Sequence, residues 1–261
     1  MIDQAGAAGL VPRTVAATYR VLHGVLGQAV RWQLLGVNTA AAVRLPRADR
    51  PEISVPDMAT VERILLAARD TRNYLPLVLA VSTGLRRREL LALRWSEVDL
   101  DAGSLRVTSS LQKVDGRLLF MAPKTDRARR TVGLPPAVVA LLRRHRKEQT
   151  ERRLLLGEAW SGLDLVIERG DGEPFPPDSL SRDFYRLTRK LGLPGLRLHD
   201  LRQAFATALL TAGVHPKVAS EALGHSSVSF TMDTYQHLMP AMQDSATRAI
   251  EAALGATIGG E

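Results

Sequence analysis

Residues 12–37, PRTVAATYRVLHGVLGQAVRWQLLGV, place apolar side chains at helical spacing, with Pro12 near the start and Gly36 after the end. That punctuation marks an amphipathic helix. NTAAAVRLP, which follows, allows a short second helix. Three prolines and mixed charges in RLPRADRPEISVP (44–56) predict a linker. The helical period resumes at 57–69 and at about 74–82, and runs on through RRRELLALRW. Then the period shortens to two. SLRVTSS, RLLFMAP and RRTVGLP alternate, with DAG and DG as turn signals, and predict one small three-stranded antiparallel sheet. Helical spacing returns at about 136–155, 178–191, 199–212, 216–223 and 241–254. The pattern predicts a mainly α fold with a small three-stranded antiparallel sheet. Its parts are a short helical segment at 1–48, a linker at 49–56 and a larger domain at 57–261.

Charge changes the picture. The 261 residues carry 35 Lys and Arg against 27 Asp and Glu, a net charge of +8. The excess is uneven: +4 over residues 1–50, +7 over 51–197 and −3 over 198–261. A basic body with an acidic C-terminal part suggests a polyanion as partner. No run of 18 apolar residues appears, so no membrane span or membrane partner is expected. The N-terminus lacks the basic and apolar regions of a signal peptide, and a cytoplasmic protein is expected. With no cysteine, thiolate metal sites and disulfides are ruled out.

Five stretches carry possible chemistry. In TGLRRRELLALRW (83–95), Thr83-Gly84 can end one helix and Arg86 begins the next, with Glu89 one turn on. A guanidinium at a helix start suits a phosphate; a solvated i,i+3 ion pair is the plainer account of these two residues alone. In APKTDRARRTVGLP (122–135), Lys124 lies at the tip or edge of a hairpin, where an amine can reach a substrate or simply be solvated. In LHDLRQAFATALL (198–210), His199 and Arg202 project from one helix face, able to handle a proton and a phosphate together, although helix starts are often polar. LGHSS contains His225 after Gly224, and TMDTYQH contains Tyr235, a tyrosine among polar neighbours ten residues on.

TGLRRREL, PKTDRARRTVGLP, HDLR, LGHSS and TMDTYQH, in this order, resemble the tyrosine recombinase (phage integrase) family. The resemblance covers about residues 55–240 and extends more loosely to 12–50, which looks like the last helices of the family's core-binding domain. It implies an integrase-type catalytic domain preceded by a partial core-binding segment. Carried over by position, Arg86 and Arg202 match the catalytic arginines, Lys124 the hairpin lysine and His199 the first residue of the HxxR pair. His225 matches the His-or-Trp position, Tyr235 the nucleophile and Glu89 a supporting acid. Gln203 stands where many relatives have a second histidine, and Arg88 where a glycine is common; neither removes a functional group.

The implied reaction is site-specific DNA cleavage and rejoining through a covalent 3′-phosphotyrosyl link. Two arginines and a lysine would do the electrostatic work, so no cofactor and no metal are expected. Double-stranded DNA is the implied partner, met as a tetramer on paired sites by a protein that is monomeric when free and nucleoid-associated in the cytoplasm. Arg127, Arg129, Arg130, Arg143, Arg144, Arg182 and Arg186 are candidate DNA-backbone contacts, which position without specifying sequence. AMQDSATRAIEAALG (241–255) is an amphipathic segment that would dock on a neighbouring protomer or on its own domain. Three alternatives stand beside this reading. One is a type IB topoisomerase, disfavoured by the integrase-like ending. Another is a helix-turn-helix regulator built on 216–237, whose second helix is poor in base-reading side chains. The third is a truncated or degenerate integrase-like DNA-binding protein, prompted by the roughly 50 residues before the larger domain.

Overall fold

The computed structural model of the protein describes residues 12–43, 45, 55–123 and 129–224. It divides into two compact units, residues 1–53 and 54–261. In the first, α1 (Pro12–Arg31) is followed by a 3₁₀ turn, Thr39–Ala42. The helix stops short of Gly36 because Gln33 takes a left-handed conformation, φ 60°. The Leu34 amide then closes back on the Ala29 carbonyl at 2.9 Å, the αL stop usually made by glycine. Asn38 ties the turn to α1: its Nδ2 donates to the His23 carbonyl and its Oδ1 accepts from the Ala40 amide.

The second unit opens with α2 (Met58–Ala68), whose first turn is capped by Asp57 accepting from the Thr60 amide at 2.8 Å. Next comes α3 (Tyr74–Thr83), apolar all round and buried at Leu75, Leu77, Leu79 and Ala80, as a central helix should be. Pro76 is tolerated because it lies in the first turn, where no intrahelical donor is needed. Gly84 ends α3 at φ 61°.

The short helix α4 (Arg87–Leu90) follows. The helix expected through RRRELLALRW ends there. Leu90, Leu91, Ala92 and Leu93 are all at most 2% exposed, more burial than one helix stripe supplies. The Val166 amide also donates to the Leu93 carbonyl at 2.9 Å, and Arg94 pairs with Leu165 in an isolated bridge. Tertiary pairing outweighs helical propensity here.

Among the described residues, five strands follow: β1 (Val98–Asp99), β2 (Ser104–Val107), β3 (Ser110–Val114), β4 (Arg117–Met121) and β5 (Arg130–Gly133). The sheet is antiparallel and three-stranded, in the order β1-β2-β5, and β3 and β4 form a separate hairpin. RLLFMAP is therefore not in the sheet, and its expected place is taken by the two-residue β1. Asp115 and Gly116, both at positive φ, make the tight turn that commits β4 to β3. In the sheet, Leu105 opposes Val132, and both are buried.

Four helices complete the described residues: α5 (Pro136–Leu156), α6 (Pro177–Lys190), α7 (Leu198–Thr211) and α8 (Pro216–Leu223). The expected helix at 241–254 lies outside the described residues. One core joins Leu142 of α5, Leu180 and Phe184 of α6, and Leu201 and Ala204 of α7 to α2, α3 and the sheet. A smaller cluster, Ala206, Leu210, Ala219 and Leu223, fixes α8 on α7. No described helix is long and apolar enough to cross a membrane.

At Gly84, α3 ends against Phe205 of α7 and Leu223 of α8. A β-carbon there would lie 2.8 Å from Phe205 Cε1, closer still to Cδ1, and 3.2 Å from Leu223 Cδ2. Gly84→Ala is expected to cost about 2–4 kcal/mol, combining left-handed strain with overpacking. The check is the shift in urea midpoint against wild type; a shift under about 0.5 kcal/mol contradicts this packing.

Candidate active site

The site is built around the last carbonyls of α8. A helix end leaves four carbonyls without intrahelical partners and carries partial negative charge. Here Ala222, Leu223 and Gly224 each receive an N–H from a different arginine. Arg130 Nε donates to the Ala222 carbonyl at 2.7 Å, Arg202 Nη2 to that of Leu223 at 2.5 Å, and Arg86 Nη2 to that of Gly224 at 3.0 Å. These arginines come from β5, α7 and the N-cap of α4. Arg202 also donates through Nη1 to the Gly84 carbonyl, so it joins the ends of α3 and α8.

Local sequence explains how each side chain is presented. At the start of α4, the Glu89 carboxylate accepts from the Arg86 amide at 3.0 Å, a capping interaction from the third helical position. Arginine has no acceptor with which to return that bond. Its Nη1 instead donates to Glu89 Oε1 at 2.8 Å. The same Arg-x-x-acid device starts α7, where Asp200 accepts from the Arg197 amide at 2.8 Å. It places His199 in the first turn, and Arg202 lies three residues on along the same face.

The burials differ in a useful way. Arg202 is 4% exposed, whereas the Arg86 side chain is 40% exposed: anchored on one side and open on the other. Glu89 is buried and shared, with Oε1 facing Arg86 and Oε2 taking Arg130 Nη2 at 2.8 Å. Burial pushes its pKa up, but the hydrogen bond and charge of Arg130, with the bonds from Arg86, outweigh this and hold it below the ordinary carboxylate range.

His199 is exposed by surface area, yet neighbouring atoms strip water from part of its ring. That desolvation lowers its pKa; the charges of Arg202, Arg197 and Arg86 lower it further, and Asp200 opposes them. His199 is therefore neutral at pH 7 and able to accept a proton. Among the described residues, the guanidiniums of Arg86, Arg130 and Arg202 outnumber the Glu89 carboxylate they surround, an excess of positive charge suited to a phosphate.

The structure thus brings together Arg86, Glu89, His199 and Arg202. Lys124, Arg127, His225 and Tyr235 lie outside the described residues. Arg129, Arg143, Arg144, Arg182 and Arg186 are exposed, with Arg143 bound to Asp101 at 2.5 Å. Arg130 departs from the expected surface role. Its side chain is 6% exposed and turned inward, where it bonds Glu89 and the Ala222 carbonyl. The missed signal is strand alternation: in RRTVGLP, Arg130 is in phase with buried Val132 and Leu134, and Arg129 is not.

The model of the phage integrase family matches residues 57–242, a span containing all these residues. The chain belongs to the phage integrase family. Among its relatives, a XerC-like tyrosine recombinase of Caldanaerobacter subterraneus subsp. tengcongensis is 29% identical over 73% of this chain and 52% of its own length. The integrase of Mycobacterium phage D29 is 27% identical over 97% of this chain and 66% of its own length. The ICEBs1 integrase of Bacillus subtilis is 33% identical over 63% and 44%.

Solved structures of integrases share the fold. The Tn1549 transposon integrase in complex with transposon right end DNA superposes with a TM-score of 0.80 at 22% identity, over 96% of this chain and 82% of that one. A lambda integrase dimer bound to a COC′ core site gives 0.60 at 20% identity, over 89% and 61%. The chain spans roughly 44–66% of the length of the first curated relatives it matches.

The shared carboxylate makes a testable pH signature for this member of the phage integrase family. With its folded pKa depressed, Glu89 contributes stability that is complete above its unfolded value near 4.5 and lost as pH falls through the folded value. E89Q should be about 3 kcal/mol less stable than wild type at pH 7, because Arg130 stays buried without its counter-charge. The gap should narrow below pH 4.5. Denaturation series at pH 7 and pH 3.5 provide the check; a gap independent of pH contradicts the ionised pair.

Proposed function

We propose that this chain is a tyrosine-type, site-specific DNA recombinase that acts by strand cleavage and rejoining. The observation that carries the reading is the convergence of Arg86 and Arg202 on the end of α8, with His199 in the field of both; from there the chain runs on into His225 and Tyr235. The Tyr235 hydroxyl attacks the scissile phosphorus, and the bond to the 5′ oxygen breaks as the 3′-phosphotyrosyl bond forms. His199 takes the phenolic proton; Lys124 gives a proton to the departing 5′ oxygen. Arg86 and Arg202, with His225 as a further donor, stabilise charge on the non-bridging oxygens. Attack by a 5′ hydroxyl reverses the step and rejoins a strand without an outside energy source.

Duplex DNA is the substrate, and the exposed Arg129, Arg143, Arg144, Arg182 and Arg186 are suited to its backbone. The complexes of the Tn1549 and lambda integrases with DNA support this partner. Recombination joins paired sites, so the working form is a tetramer on DNA, assembled from monomers in the cytoplasm, where the nucleoid is. Residues 1–48 serve as part of a core-binding segment and 57–261 as the catalytic domain. A helix-turn-helix regulator is not favoured: such a protein has no use for three arginines gathered on the end of α8.

The test is covalent capture. The protein is mixed with duplexes of randomised sequence, each carrying a nick, and detergent-resistant adducts are recovered and sequenced. Adducts are expected on 3′ phosphates through Tyr235, identified by peptide mass spectrometry, and absent from Y235F. R86A should slow adduct formation by roughly 10²–10³, the scale for losing one preorganised donor. Cleavage should persist in excess chelator. Its acid limb should fall below pH 6.5 as His199 gains a proton, because its pKa is lowered from that value. Adducts formed by Y235F, or none formed by wild type, overturn the reading.

A further inference from the structure

Arg130 opens β5 and pairs with Val107 of β2, so the sheet fixes its backbone. Strand alternation turns its side chain inward, where one guanidinium reaches two elements. Its Nε donates to the Ala222 carbonyl at the end of α8, and its Nη2 to Glu89 Oε2 in α4. The fit is close: a β-carbon on Gly224 would lie 2.9 Å from Arg130 Nη1. Gly224 itself is at φ 61°, where the chain leaves α8.

We propose that Arg130 is a positioning residue for strand cleavage: it clamps Glu89, and through it Arg86, against the end of α8, from which His225 and Tyr235 follow. The proposal rests on the strand-cleavage reading above. Three features of the geometry support it. First, the Glu89 carboxylate binds both guanidiniums, Oε1 that of Arg86 and Oε2 that of Arg130, while Oε2 also accepts from the Arg86 amide, so the orientation of one guanidinium is tied to the other. Second, only a planar fork can serve a carboxylate and a carbonyl together in fixed directions; an ammonium is a point charge. Third, a buried ion pair is an expensive way to gain stability, and an apolar side chain would fill the space at lower cost. What the pair supplies is fixed geometry. β5 also continues the segment that contains Lys124, six residues before Arg130. One residue thereby connects the stretches of chain that carry Arg86, Lys124 and Tyr235.

The experiment measures single-turnover adduct formation on a nicked duplex recovered by the capture above. Wild type is compared with R130K, R130Q, E89Q and the R130Q/E89Q double variant, with DNA affinity and thermal melting recorded for each. R130Q and R130K should react about 10–100-fold more slowly, the scale of an ångström-level misplacement. DNA affinity should stay within about twofold, since phosphate contacts elsewhere supply most of it. The double variant should match the slower single variant rather than the product of the two effects, because both act through one contact.

A residue that only supported the fold would lower the folded fraction, and with it the adduct yield, but not the rate constant of the folded molecules. R130K, which keeps the charge, carries the test if R130Q does not fold. Wild-type rates in R130K, or multiplicative effects in the double variant, overturn the proposal while leaving strand cleavage standing. No adduct from wild type removes the strand-cleavage reading and this proposal with it.

Discussion

Three carbonyls at the end of one short helix organise this site. α8 has eight residues, too few to be stable alone, so its end must be held by tertiary partners. Ala222, Leu223 and Gly224 accept N–H groups from Arg130, Arg202 and Arg86. Each bond satisfies a group that would otherwise be stranded at a helix terminus, and each places a cation where the helix dipole favours one. The same three bonds tie together a strand, a long helix and a helix N-cap that lie far apart in sequence. The polar requirement of one helix end thus becomes the frame of the site.

Among the described residues, that frame carries more positive than negative charge. Glu89 offsets part of the arginine charge and also fixes two of the arginines in place. A site with matched acids would be more comfortable in the folded protein, but it would offer a phosphate little. Preorganised positive charge is useful because its cost has already been met on folding rather than during the reaction. Arg202 lies at the buried end of this arrangement and Arg86 at the open end. Loss of water around the His199 ring, together with this field, lowers its pKa.

Much of this was legible in the sequence, for reasons that can be named. The helical spacing of α3, the glycine stop at Gly84 and the Arg86–Glu89 pair at the start of α4 are local signals, and local signals survive folding. Motif order and spacing single out Arg86, His199 and Arg202, which the fold brings together. Strand partners were not found, because alternation marks a strand without saying what it pairs with. RLLFM alternates as well as SLRV does, yet the Asp115-Gly116 turn closes it onto β3, while β2 takes β5 from beyond the hairpin. Arg130 stands in the sequence as one basic residue among many. Its phase with Val132 and Leu134 was the clue, but the carboxylate that makes an inward arginine tolerable lies 41 residues away.

The most direct test of this arrangement is hydrogen exchange at arginine side chains, read from the Nε–H signals of the free protein by NMR. Arg130 Nε–H, bound to the Ala222 carbonyl and shielded from solvent, should exchange orders of magnitude more slowly than the Nε–H of exposed Arg144 or Arg182. Its protection should be lost when Glu89 is replaced by alanine. An Arg130 signal that exchanges as fast as those of Arg144 and Arg182 would contradict the clamp on the end of α8.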